Sequence, residues 1–109
     1  MARYILTYLG GTPPATPEEG QKHMADYRSW LTALCDAAVS PANPVRGTQT
    51  VAPDRTVETR GRTGMSGFTI IEVESMERAL AIAKACPFLD VGGSLEVSEL
   101  LEMPDFGEG

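Results

Sequence analysis

Two kinds of hydrophobic spacing alternate along the chain. Arg3 to Leu9 (RYILTYL) is a short run of β-formers halted by Gly10, Gly11, Pro13 and Pro14, which predicts a strand followed by a loop. The loop ends in Thr16-Pro17-Glu18-Glu19. A capping threonine, a proline at the first helical position and a glutamate three residues after the cap together predict a helix starting at Pro17. Met24, Tyr27, Leu31, Leu34 and Ala38 then recur at spacings of three and four and form the stripe expected to face a sheet. Ser40-Pro41-Ala42-Asn43-Pro44 reads as the stop, because each proline lacks an amide hydrogen and disfavours a helical residue before it.

Residues 45–66 have no sustained period. TQTV and RTVET are β-like pieces around Ala52-Pro53-Asp54, so this stretch is expected to be a strand or a loose hairpin. Phe68 to Val73 (FTIIEV) predicts a strand, and Ser75 caps a second helix in which Met76, Leu80, Ala83 and Ala79 are expected to face the core. Pro87 ends it. Gly92-Gly93 leads into Ser94 to Leu101, a last strand in which Leu95 and Val97 alternate with Glu96 and Ser98.

The order strand, helix, strand, strand, helix, strand predicts an α+β, ferredoxin-like βαββαβ fold with two helices on one face of a four-stranded antiparallel sheet. A chain of 109 residues has room for one such core. Residues 1–103 are expected to form one domain and 104–109 a flexible tail. In the first strand Ile5, Thr7 and Leu9 oppose Tyr4, Leu6 and Tyr8; in the third, Phe68 and Ile70 oppose Ile71 and Val73. The helices cover one apolar face. The other therefore calls for a partner, most economically the same sheet of a second copy in a homodimer.

Composition narrows the function classes. With 42% hydrophobic and 22% charged residues the chain belongs with ordinary soluble domains, and no apolar run approaches the ~20 residues that span a bilayer. A cytoplasmic location is the expectation, with no membrane association. Cys35 and Cys86 match no zinc or redox spacing and read as buried, inert thiols. The net charge of −6 repels phosphate backbones, which argues against nucleic acid as a partner. The charge is uneven: residues 45–64 carry four arginines (Arg46, Arg55, Arg60 and Arg62) against two acids, whereas residues 65–109 carry two basic residues against nine acids.

Candidate chemistry centres on HMADYRSWL, which holds the sole histidine, His23, and the sole tryptophan, Trp30. An imidazole with a reference pKa of ~6.5 gives and takes protons near neutrality. Asp26 and Tyr27, three and four residues on, are within helical reach as partners. Asp36 lies roughly 20 Å further along a continuous helix at ~1.5 Å per residue, too far to serve from the same helix. Tyr27 and Trp30 read either as an aromatic wall beside the histidine or as packing groups. Arg46 offers a guanidinium fork to a substrate carboxylate, or a solvated loop face. One histidine and two separated cysteines make no metal site, GxSxG is absent, and Gly61, Gly64 and Gly67 are not followed by the GK[ST] of a phosphate loop. The aromatic sheet motif of RNA-recognition domains is also missing.

Longer stretches carry a resemblance. RYILTYLGG, PEEGQKHMADYRSWLTAL, NPVRGTQTV and SGFTIIEVESMERALAIAKACPFLDVGGSLEVSELLEM, covering most of the chain, resemble the YCII-related family and within it the DGPF-domain branch. The resemblance implies a ferredoxin-like fold that dimerises into an α/β barrel, an active site in a cleft and a catalytic histidine on the first helix, here His23, paired in the family with an aspartate. RTGMSGF stands where DGPF is expected, and Cys86-Pro87 stands where members carry Asp-Pro. The expected protein is thus a cofactor-independent homodimer acting on a small organic molecule by lyase- or isomerase-type proton transfer. His23 would be the acid/base, Asp26 its partner, and Tyr27, Trp30 and Arg46 would bind substrate. The alternative is a non-catalytic ligand-binding or interaction module.

Overall fold

Two central strands rich in β-branched and aromatic residues organise the molecule. In the computed structural model, which describes residues 1–102, strand β1 (Ala2–Gly10) pairs antiparallel with β5 (Met65–Val73) on one side and with β6 (Gly93–Leu100) on the other. Strand β2 (Ala38–Pro44) adds to the free edge of β5, giving the sheet order β2-β5-β1-β6. Helices α1 (Pro17–Leu34) and α2 (Met76–Lys84) pack on one face. This is the ferredoxin-like architecture.

Side-chain alternation decides what is buried. Tyr4, Leu6 and Tyr8 of β1 and Thr69, Ile71 and Val73 of β5 point at the helices and are enclosed, with Leu6 and Ile71 wholly inaccessible. Burying each of those two side chains contributes about 1.5–3 kcal/mol. Their neighbours Ile5, Phe68 and Ile70 lie on the opposite face and remain half-exposed.

Local signals set the helix starts. The Thr16 hydroxyl accepts the Glu19 backbone N–H at 3.1 Å, and the Ser75 hydroxyl accepts that of Arg78 at 3.2 Å. Helix α1 begins at Pro17 as its capping sequence predicts. Its packed stripe keeps the expected Tyr27, Leu31 and Leu34, which are half-buried, and adds the buried Trp30, whereas Met24 is exposed and Ala38 belongs to β2. The α2 stripe runs through Ala79, Ile82 and Ala83, leaving Met76 and Leu80 more exposed.

The second strand of the fold lies where a helix stop was expected. Residues 38–44 include both prolines, which is tolerable because β2 is an edge strand and need not donate from every position. Its register with β5 slips on either side of Ser40, and the bypassed Pro41 carbonyl instead accepts the Thr69 hydroxyl at 2.6 Å. The loose hairpin expected in 45–66 exists as two-residue strands β3 (Thr50–Val51) and β4 (Val57–Glu58), which form a sheet of their own. Cys35, read as buried, is exposed; Cys86 is buried. No described helix is long and apolar enough to cross a membrane. The expected tail, 104–109, lies outside the described residues.

Candidate functional site

A cleft opens between the N-terminal half of α1, the loop that precedes it and a 3-10 turn at Pro87–Val91. Its volume is about 420 Å³, and Pro14, Glu19, His23, Phe88 and Asp90 are among its walls. A smaller depression of about 200 Å³ adjoins it and shares Glu19, His23, Asp90 and Val91, adding Lys22 and Asp26. His23 therefore stands on the wall common to both.

The local chain explains the shape. Gly10 and Gly11, both at positive φ, end β1 and turn it into the Pro13-Pro14 loop. The Thr12 N–H then donates to the Val91 carbonyl at 2.8 Å, tying loop and 3-10 turn together behind the cleft. Phe88 is held between two glycines. A Cβ on Gly93 would come within 2.1 Å of its ring and one on Gly11 within 2.9 Å, so only glycine admits the ring at this position. Phe88 meets Tyr8 edge-on, with ring centroids 5.4 Å apart.

His23 is half-buried, and none of the described residues hydrogen-bonds its imidazole. Its ring stacks on Tyr27, with centroids 6.4 Å apart and planes 22° from parallel, and Tyr27 stacks in turn on Trp30 at 5.8 Å. Of the residues expected around the histidine, Asp26 lines the same depression, where its carboxylate accepts the Lys22 ammonium at 3.0 Å. That bond, then the Asp26 charge, and then Asp90 across the cleft, raise the Lys22 pKa.

Trp30 lies outside the cleft. Its indole N–H donates to the Ile82 carbonyl at 3.1 Å, pinning α1 to α2 in the core. Arg46 lies elsewhere too, in a depression at the base of the β3–β4 hairpin shared with Arg60. Glu19 and Asp90 are the site groups that sequence reasoning missed. In the sequence Glu19 carries only a capping signal, and Asp90 carries no site signal of its own. Among the described residues no cluster of histidine, cysteine and carboxylate groups could hold a metal ion.

Beneath the stacked rings runs a buried chain of hydroxyls. Tyr8 bonds both Tyr27, at 2.9 Å, and Thr69, and Thr69 bonds the Pro41 carbonyl. A carbonyl only accepts, so Thr69 must donate to Pro41, Tyr8 to Thr69, and Tyr27 to Tyr8. The direction of every proton is thus fixed from the edge strand inward. Burial pushes the Tyr8 phenol far above its usual range, so it remains a neutral member of this chain.

Comparison with known proteins agrees with the architecture. One solved structure with the same fold is the 5-chloro-2-hydroxyhydroquinone dehydrochlorinase of Burkholderia phenoliruptrix AC1100, in complex with 2,5-dihydroxybenzoquinone. It is 17% identical, with a TM-score of 0.57 over 93% of this chain and 95% of that one. No sequence among curated proteins matches significantly. The YCII-related domain model matches residues 4–104, nearly the whole described chain, and the protein belongs to the YCII-related family.

Proposed function

We propose that the protein is a small-molecule enzyme that moves protons in the cleft at His23, a lyase- or isomerase-type reaction needing no cofactor. The observation that carries this reading is the position of the one imidazole. It stands half-buried on the wall of a cleft of about 420 Å³, opposite an aromatic ring and beside carboxylates. A cleft of this size is at the lower end of small-ligand pockets. Phe88, Pro13 and Pro14 supply an apolar bed for a ring, while Glu19 and Asp90 accept hydrogen bonds from its hydroxyls. The bound 2,5-dihydroxybenzoquinone of the structural relative supports a planar, hydroxylated ring as ligand.

His23 would take a proton from the bound ring or return one to it. The half-exposed face of the sheet, around Ile5, Phe68 and Ile70, would be covered by a second copy in a cytoplasmic homodimer. A second reading, a binding module without turnover, is favoured by the missing dyad: Asp26 is engaged by Lys22, and no described residue hydrogen-bonds the imidazole.

A thermal-shift screen of hydroxylated aromatics, quinones and enolisable ketones finds ligands for either reading, because binding to the native state raises its stability. Turnover of a hit, abolished in His23→Ala while binding persists, supports the enzyme. Binding without turnover in the unaltered protein supports the module.

A further inference from the structure

The β3–β4 hairpin is an arm without a core. Two two-residue strands pair only with each other, and a lone hairpin is marginal in water. At its end Val51 and Val57, directly opposed, are 67% and 57% exposed. Along the arm Arg62 is paired with Glu58, Arg55 in the loop reaches only a backbone carbonyl, and Arg60 toward the base has no carboxylate partner among the described residues. The arm is apolar at its tip and cationic at its flanks, on a chain that is acidic elsewhere.

The opposite end of the sheet carries the complement. Leu9 pairs with Met65 where the arm leaves the sheet, whereas Ala2 pairs with Val73 and Arg3 with Leu100 at the far end. There a groove of about 560 Å³ is lined by Met1, Leu100 and Leu101 together with Glu72, Glu99 and Glu102. Arg3 takes Glu72, leaving Glu99 and Glu102 without a cationic partner among the described residues. Met1 and Leu101 are among the most exposed apolar side chains of the molecule.

Arm and groove sit at opposite ends of one sheet. A two-fold axis lying between two such sheets and perpendicular to their strands brings each arm onto the other copy's groove, burying both pairs at once. We propose that the Val51–Val57 arm of one copy docks in the Met1–Leu100–Leu101 groove of a second copy, with Arg55 and Arg60 meeting Glu99 and Glu102. This rests on the homodimer reading and adds to it the element that fixes the two-fold's direction. It also accounts for the basic middle segment, which the cleft does not use.

A charge-swap experiment tests it, with dimer dissociation constants measured by sedimentation on dilution. Arg55→Glu with Arg60→Glu gives a negative arm; Glu99→Lys with Glu102→Lys gives a positive groove. Each double variant alone should dimerise at least tenfold more weakly than the unaltered chain. Their equimolar mixture should recover the original affinity, since every arm then meets an opposite groove, and recovery also shows that both variants fold. Unchanged affinity in the variants, or weakening that mixing does not repair, overturns the docking while leaving the homodimer standing. A monomer at micromolar concentration in the unaltered protein overturns both.

Discussion

Tyr27 stacks on His23 with its ring and donates to Tyr8 with its hydroxyl at 2.9 Å, so one side chain joins the cleft histidine to the buried core. The bond continues through Tyr8 and Thr69 to the Pro41 carbonyl on the edge strand. A helix, two central strands and the irregular strand beside them are thus held by one directed chain of hydroxyls.

The chain predicts an order of losses. Thr69→Val leaves the Tyr8 hydroxyl without its acceptor and the Pro41 carbonyl without its donor, at a cost of about 1–3 kcal/mol. Tyr27→Phe removes only the outermost donor and costs about 1 kcal/mol or less. Urea unfolding curves should rank the two variants in that order.

The same method tests the α1 stripe. Trp30 is buried and bonded to the Ile82 carbonyl, whereas Met24 is about half exposed. Trp30→Ala is expected to lose about 3–5 kcal/mol. Met24→Ala is expected to change stability by less than about 0.5 kcal/mol.

Stability should fall in alkali through Cys86. Burial raises its thiol from an ordinary value of 9.0 to about 11. Between those values the unfolded chain has released the proton and the native chain retains it, so unfolding becomes easier as pH rises, by at most about 1.4 kcal/mol per pH unit. Above pH 10 the buried Tyr8 phenol steepens the fall in the same way. Cys86→Ala should flatten the decline between pH 9 and 11 in denaturant midpoints measured across that range.

Gly93→Ala should disturb the cleft from behind. The added methyl collides with the Phe88 ring, and moving that ring costs about 1–3 kcal/mol of overpacking. A thermal midpoint lowered together with weaker binding of any cleft ligand is the expected result.

The sequence made legible what neighbouring residues decide. Thr16-Pro17 and Ser75 set helix starts through bonds within one turn, and the alternation in β1 and β5 sorted their side chains into two faces, of which packing buried the one with Tyr4, Leu6, Tyr8, Ile71 and Val73. Strand β2 was hidden because Pro41 and Pro44 read as breakers; only the neighbouring edge of β5, distant in sequence, makes them acceptable. The helix stripes were ambiguous in phase. Met24 and Leu80 fit an apolar period as well as Trp30 and Ile82, and packing against the sheet chose the latter. His23 was conspicuous as a lone histidine, but Asp90 becomes its neighbour only when the Pro87–Val91 turn closes on α1.

The claim that the cleft at His23 binds a small molecule meets its most direct test in the imidazole itself. Because the chain has one histidine, its ring gives a single assignable pair of imidazole signals in a carbon–proton spectrum. During titration with a stabilising compound from the screen, those signals should move saturably and with the same dissociation constant as the thermal shift. A compound that stabilises the protein while the His23 signals stay still would place the ligand elsewhere and contradict the account.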